Sequence, residues 1–259
     1  MKVYLLSAPT LAAGMQAFLA DRQQRWQQET PATEAELLVE AAGRVCYMSF
    51  GDRQYRRRTG EYLANLIAQG HESVLEHANF TLLADGISRA LSHQLVRHRA
   101  GFAYSQLSQQ YHDESEAAFV EPPGLAGHPQ AQRQWQALTA AARDTYKALL
   151  REAADGGSTD ALSDKERQRL LRSVARSVLP NATATTLVVT GNARAWRHVL
   201  AVRGAIDGDL EMRAYCVAVL RVLAPAAPGL FADFRIGRDA LGERVQHEPP
   251  GAAPAPGSR

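Results

Sequence analysis

Cysteine is scarce in this chain of 259 residues: there are two, Cys46 and Cys216. Two distant thiols exclude a disulfide-stapled scaffold, and no Cys-x-x-Cys or Cys/His ligand spacing appears. A structural zinc site is therefore not expected, and no metal is. Long apolar runs are missing as well. None approaches the ~20 residues that span a bilayer, and the opening Met1-Lys2-Val3-Tyr4-Leu5-Leu6 is too short for a signal peptide. These absences lead to the expectation of a soluble, cytoplasmic protein with no membrane partner. A large charge of one sign is also absent. The net charge is +2, with 29 Lys and Arg against 27 Asp and Glu, which is not the polycation that coats a nucleic acid. Hydrophobic residues make up 46%, enough for a sizeable core in one large domain or two small ones.

The most informative absence is local. From Gly86 to His112 there is no Asp or Glu, yet the stretch carries Arg89, Arg97, Arg99, His93, His98 and His112. From Arg167 to Ile206 there is again no acid, while Arg167, Arg169, Arg172, Arg176, Arg194, Arg197 and Arg203 are present. Acids elsewhere, among them Glu34, Glu36, Asp113, Glu114, Glu116, Asp160, Asp164 and Glu166, balance the total. Positive charge with no acid nearby in sequence points to an external anion, most commonly phosphate.

Periodicity places these stretches on elements. Lys2 to Ser7 reads as a strand ended by Pro9. Glu34 to Tyr47 has helical spacing through Leu37, Leu38, Ala41, Ala42 and Val45. Tyr62 to Ala68 is a second helical piece closed by Gly70, and Asn79 to Ala84 a strand. Ser88 can cap a helix over Arg89 to Val96 that buries Leu91, Leu95 and Ala90. Arg97-His98-Arg99 then sits at that helix's C-terminal end, where the dipole favours cations in any case. Pro122 to Pro129 reads as a loop, and Gln130 to Ala154 as a long amphipathic helix ended by Gly156-Gly157. It carries Trp135, Leu138, Ala142, Tyr146 and Leu149. Ser163-Asp164-Lys165-Glu166 is a capping box opening a basic helix to Val178. Thr185 to Thr190 is a β-branched strand, and Ala195 to Val202 and Leu210 to Leu223 are helices. The Pro-, Ala- and Gly-rich end from Pro249 reads as disordered. Without βαβ regularity the class is α+β. Cys216, among Ala214, Val217, Val219 and Leu220, reads as core, and core is also the expectation for Cys46.

After Arg99 comes Tyr104-Ser105-Gln106-Leu107-Ser108-Gln109-Gln110-Tyr111, a polar cradle of amides, hydroxyls and backbone N–H groups suited to phosphate and pyrimidine edges. Ser108 lies near His98 and His112, but no Gly-x-Ser-x-Gly turn or triad order supports a hydrolase. The stretch Gln94-Leu95-Val96-Arg97-His98-Arg99 through Tyr111 resembles the signature of flavin-dependent thymidylate synthases: Arg-His-Arg, seven residues, then Ser. Further segments are similar to that family in the same order. They are Gly70-His71-Glu72-Ser73-Val74-Leu75-Glu76-His77, Ala175-Arg176-Ser177-Val178-Leu179-Pro180, Asn192-Ala193-Arg194 with Arg203, and Glu211-Met212-Arg213.

The resemblance implies helices around a central, mostly antiparallel sheet, with residues 1–245 as one catalytic domain and 246–259 as a disordered tail. It implies FAD as cofactor, with NADPH and 5,10-methylenetetrahydrofolate as co-substrates, and a homotetramer with shared active sites. His71, Ser73, Glu76, Arg97, His98, Arg99, Gln106, Asn192, Arg194 and His198 would hold flavin. Gln94, Arg97, Gln106, Leu107, Ser108, Gln109, Gln110, Arg176 and Arg203 would hold a uridine monophosphate. Arg203 would sit by the uracil and favour a developing imide anion, making it the catalytic candidate. Lack of an obvious nucleophilic thiol fits chemistry carried by the flavin.

The chain departs from the family at three points. Eight residues, not seven, separate Arg99 from Ser108. Gln110 stands where the family has Arg, and Asp207-Gly208-Asp209 replaces His-Ala-Gln. The default substrate is dUMP, giving dTMP. The departures motivate an alternative, a UMP methylase of nucleoside-antibiotic biosynthesis such as the polyoxin-pathway type. An alternative from another class is a flavin-free anion- or RNA-binding protein.

Overall fold

The computed structural model describes residues 1–155 and 162–248. Its elements run β1 (Lys2–Ser7), α1 (Gly14–Asp21), α2 (Glu34–Tyr47), α3 (Thr59–Ala68), β2 (Asn79–Ser88), α4 (Arg89–Leu95) and β3 (Phe102–Gln106). They continue with α5 (Pro129–Asp155), α6 (Asp164–Ala175), β4 (Ala184–Asn192), α7 (Ala193–Arg203), α8 (Leu210–Ala226), β5 (Phe234–Asp239) and β6 (Gly242–His247). The class is α+β. One sheet has the order β1-β2-β4-β3 and is mostly antiparallel, and β5 and β6 form a separate antiparallel hairpin.

The described residues gather into two compact units. The first comprises Met1, Ala84–Arg97 and Tyr104–Val188; the second comprises Lys2–Leu83, His98–Ala103 and the chain from Val189 onward. In the second unit, Phe80 and Leu82 of β2 and Val189 of β4 point inward with period two. They join Leu63, Leu75, Trp196, Tyr215, Leu220 and Phe231 in its core. The first unit buries Ile87, Leu91, Leu95, Tyr146, Leu171 and Leu187.

Local signals explain most element boundaries. Thr33 and Glu36 form a capping box that opens α2, and Ser163 and Glu166 form another that opens α6. Ser88 Oγ accepts from the Leu91 amide to start α4, and Asn192 Oδ1 accepts from the Ala195 amide at 2.8 Å to start α7.

Several sequence expectations are corrected. The buried face of α2 is not the one drawn from Leu37, Leu38 and Val45. Val45 is exposed and Leu37 and Leu38 are half-buried; Ala41 of the expected pattern is buried, together with Ala35, Glu36, Val39, Glu40, Gly43 and Arg44. The apolar pattern misleads because Glu40 and Arg44 satisfy each other in the interior at 2.6 Å. Leu138 of α5 is likewise exposed, whereas Tyr146 is buried as expected and Thr139 is buried as well. Cys216 is core, but Cys46 is exposed. The polar cradle begins within a strand, β3, to which the sequence reading assigns no element. Residues 234–247 form a hairpin that carries no strong strand run, and β6 extends to His247. The turn at Gly156-Gly157 and the tail from Pro249 lie outside the described residues. Among those described, no helix is long and apolar enough to cross a membrane.

Candidate functional site

In the second unit the family-like residues cluster at the start of α7 and the turn before β3. Asn192 ends β4 and caps α7, so its side chain is held against the helix. Its amide N–H donates to the Gly101 carbonyl at 3.1 Å. Gly101 has φ +76°, and a Cβ there would meet Asn192 Nδ2 at 2.6 Å. Only glycine allows this approach, which brings the His98–Gly101 turn onto the end of β4. Phe102 then packs edge-on to the buried Trp196, with centroids 4.9 Å apart.

His98 is the centre of this cluster. The His198 ring meets it at 6.0 Å between centroids. From the far end of α7, Arg203 Nε donates to His98 Nε2 at 3.4 Å, a long hydrogen bond. That geometry assigns the His98 proton to Nδ1 in the neutral ring. Burial, then the Arg203 charge and then His198, hold His98 below the usual histidine range. His98 is therefore neutral at neutral pH. The cluster offers imidazole and guanidinium donors without a carboxylate among them, a set that suits a ligand rich in acceptors.

Arg194 points elsewhere. It donates to Glu76 at 2.7 Å and lies 3.6 Å from Glu72, with all three side chains substantially exposed. This pair draws the 3-10 turn Glu72–His77 to the first turn of α7. Ser73 is exposed on that turn, and Arg99 is exposed on the His98–Gly101 turn. His71, just before the 3-10 turn, stacks on Tyr47 with centroids 6.3 Å apart.

In the first unit the predicted nucleotide residues occupy the end of β3 and the turn after it. Gln106 Nε2 donates to Ser92 Oγ at 3.0 Å and Thr185 Oγ1 at 3.3 Å, which fixes its amide on the sheet. The Leu107 amide pairs with the Thr186 carbonyl, and the Leu107 carbonyl accepts from Arg89 at 2.8 Å. Ser108 Oγ accepts from the Gln110 amide. Gln109 is buried. Gln110 reaches α6, where Nε2 donates to Ser173 Oγ and Oε1 accepts from Arg169 Nε, both at 3.1 Å. Arg176, just beyond α6, is exposed, and its charge lowers the pKa of Arg89 after burial, while Glu114 opposes the shift. Gln94 is half-buried on α4, and Arg97 is exposed after it. Phosphate and carbonyl groups would find amides and guanidinium groups here in quantity.

The family model for the thymidylate synthase complementing protein matches residues 29–229. The chain belongs to this family. It is 43% identical over 233 residues to the flavin-dependent thymidylate synthase of Mycobacterium avium (strain 104), covering 90% of this chain and 92% of that relative. It is 44% identical over 229 residues to the protein of the same name from Mycobacterium sp. (strain JLS), covering 85% and 88%. A third relative of that name, from Mycobacterium bovis (strain BCG / Pasteur 1173P2), is 42% identical over 233 residues, covering 90% and 92%.

In this member of the thymidylate synthase complementing protein family, not every arginine of the acid-free stretches is free for a ligand. Arg197 is buried and clamps Asp233 through two bonds of 2.6 and 2.7 Å, with the Leu230 carbonyl as a third partner. Arg213 is buried too, and pins the β5–β6 hairpin through the Asp239 carboxylate and the carbonyls of Gly242 and Glu243. Asp207, one of the departures, lies 3.6 Å from Arg213, which gives that substitution a structural neighbour. Sequence reasoning gave no role to Arg169, Arg172 or Glu114. Arg172 Nη1 donates to the Tyr111 carbonyl at 2.8 Å, and Glu114 is buried with its carboxyl raised by desolvation. The helical spacing of Arg169 and Arg172 on α6, with Arg176 just beyond it, was the available signal.

Proposed function

We propose that this protein is a flavin-dependent thymidylate synthase: it methylates C5 of a uridine monophosphate, converting dUMP to dTMP. Methylenetetrahydrofolate supplies the carbon, C5 of the uracil gives up a proton, and NADPH is the ultimate reductant. FAD, once reduced, would supply the hydride that brings the transferred carbon to a methyl group. Family membership sets this reaction class.

The observation that carries the residue assignment is the Arg203–His98 pair. A guanidinium held at 3.4 Å from a neutral imidazole, and in no ion pair with a carboxylate among the described residues, is a fixed cation for an anion that develops during reaction. In this reading Arg203 stabilises the uracil as negative charge builds at N3 and O4, and His98 and His198 donate to flavin acceptors. Asn192, Arg99, Ser73, His71, Glu76 and Arg194 complete the flavin residues of the second unit; Arg97 and Gln106, which the resemblance also assigns to flavin, belong to the first. Gln94, Arg97, Arg176 and the run Gln106–Gln110 hold the nucleotide. We take residues 1–245 as one catalytic domain, working in the cytoplasm as a homotetramer whose active sites draw on several subunits.

Purified protein tests this directly. It should be yellow, with flavin absorbance near roughly 450 nm that NADPH bleaches, and should turn over dUMP only when methylenetetrahydrofolate is present. A colourless preparation whose RNA affinity falls steeply with salt would overturn the reading. Turnover of UMP within about a hundredfold of dUMP, roughly 2.7 kcal/mol, would redirect it to the UMP-methylating alternative.

A further inference from the structure

Four arginines crowd into six residues, Arg53 to Arg58, and the family-like motifs leave them unused. Arg57 and Arg58 have acids at 3.5 and 3.3 Å, Glu29 and Glu61. Arg53 and Arg56 have no side-chain partner among the described residues. Both instead line a cavity of about 520 Å³ in the second unit, and no acid lines it among the described residues; Arg56 also borders a neighbouring hollow with Glu29, Asp52 and Glu61. Two exposed phenols face the same space: Tyr47 at 64% and Tyr55 at 92% exposure. Tyr47 is already stacked on His71, which closes one side.

The cavity is held from beneath. Arg44 is buried, with its guanidinium 4.4 Å over the Tyr62 ring. It donates to the Ser49 carbonyl at 3.0 Å and the Arg56 carbonyl at 2.6 Å. Those two bonds tie both ends of the segment that carries Arg53 and Tyr55. A guanidinium fork without an internal acid is suited to bidentate capture of carboxylate or phosphate, and exposed phenol rings offer flat apolar area to a planar group.

We propose that this cavity is a co-substrate subsite, in which Tyr47 and Tyr55 take a planar ring and Arg53 and Arg56 take an anionic tail. The proposal rests on the reaction proposed above, whose two co-substrates share this chemistry. Methylenetetrahydrofolate joins rings to glutamyl carboxylates, and NADPH joins rings to phosphates.

The experiment is a fluorescence titration of the flavin-loaded protein with mono- and triglutamyl tetrahydrofolate, NADP⁺ and dUMP. It compares the wild type with Arg53→Ala/Arg56→Ala and Arg53→Lys/Arg56→Lys. The alanine variant should weaken binding of one anionic co-substrate about tenfold. The lysine variant should lose less, and flavin content and dUMP affinity should hold. A loss that grows from mono- to triglutamate identifies the folate tail, and a loss confined to NADP⁺ identifies the phosphates. Unchanged affinity for both co-substrates in the alanine variant overturns the subsite. Absence of dUMP binding and turnover in the wild type would reject the proposed reaction instead, while an arginine-dependent co-substrate affinity would leave the subsite standing.

Discussion

Gln110 and Arg169 meet across 59 residues of sequence, with Arg169 Nε donating to Gln110 Oε1 at 3.1 Å. The Arg169 guanidinium also stands over the Tyr111 ring at 5.6 Å, and no carboxylate lies within ion-pair distance of it among the described residues. Its hydrogen-bond and ring partners are neutral, and Glu166 one turn earlier feels its charge without pairing to it. The helix α6 thus brings a guanidinium to the position where the strand loop has an amide. Arg169→Ala should raise the KM for the nucleotide about tenfold, roughly 1.4 kcal/mol, with bound flavin unchanged. Gln110→Arg in the Arg169→Ala background should recover most of it. Steady-state kinetics on both variants decide this, and an unmoved KM in Arg169→Ala would make the contact a surface one.

His98 gives a pH prediction. Its folded-state pKa is lowered, by burial first and by Arg203 next. Protonation is therefore disfavoured in the folded protein. The stability tied to neutral His98 is fully present above its unfolded value of about 6.5 and is lost as pH falls through the lowered folded value. Arg203→Ala removes one of the causes, so His98 should titrate at higher pH. NMR titration of the histidine ring protons reads this shift. An unchanged His98 titration would show that the Arg203 charge does not reach the ring.

Arg44 gives a stability prediction. Its side chain is 1% exposed and that of its partner Glu40 is fully buried, and Trp26 Nε1 donates to the same Glu40 oxygen at 3.1 Å. Arg44→Ala leaves a buried carboxylate without its charge partner and should cost about 3 kcal/mol or more. Removing both charges, as Glu40→Gln/Arg44→Met, should cost less than the single change. Urea denaturation midpoints compare the two.

Thiol chemistry should separate the cysteines. Burial pushes the Cys216 thiol up to about 12, whereas Cys46 is exposed. One thiol per chain should react with an aromatic disulfide reagent in the native protein, and two after denaturation. Cys46→Ser should remove the native signal; a remaining native signal would place reactivity at Cys216.

Elements governed by neighbours along the chain are legible in the sequence alone. The Ser88, Thr33-to-Glu36 and Ser163-to-Glu166 caps depend on groups three residues apart, and their helices start where the caps place them. The strand β4 is legible for a similar reason: Thr185 to Thr190 is rich in β-branched residues, and that strand preference is a local property. The hairpin β5–β6 is not, because Arg235, Arg238 and Arg244 interrupt any apolar pattern and Arg213 holds it from another element.

The acid-free stretches show where a sequence stops. By itself the sequence determined the family, the order of the motifs and the surplus of guanidinium groups, because these are written residue by residue. Tertiary structure decided which arginines keep their charge for a ligand. Arg197 lies in an acid-free stretch yet clamps Asp233, 36 residues away, and Arg194 pairs with Glu76, 118 residues away. Among the described residues, Arg203 hydrogen-bonds an imidazole and Arg169 an amide, and neither is in a side-chain ion pair. Ion pairing depends on a few ångströms of space and not on spacing along the chain: acids stand within four residues of Arg169 and Arg203, at Glu166 and Asp207, yet the side-chain ion pairs form at Arg194 and Arg197.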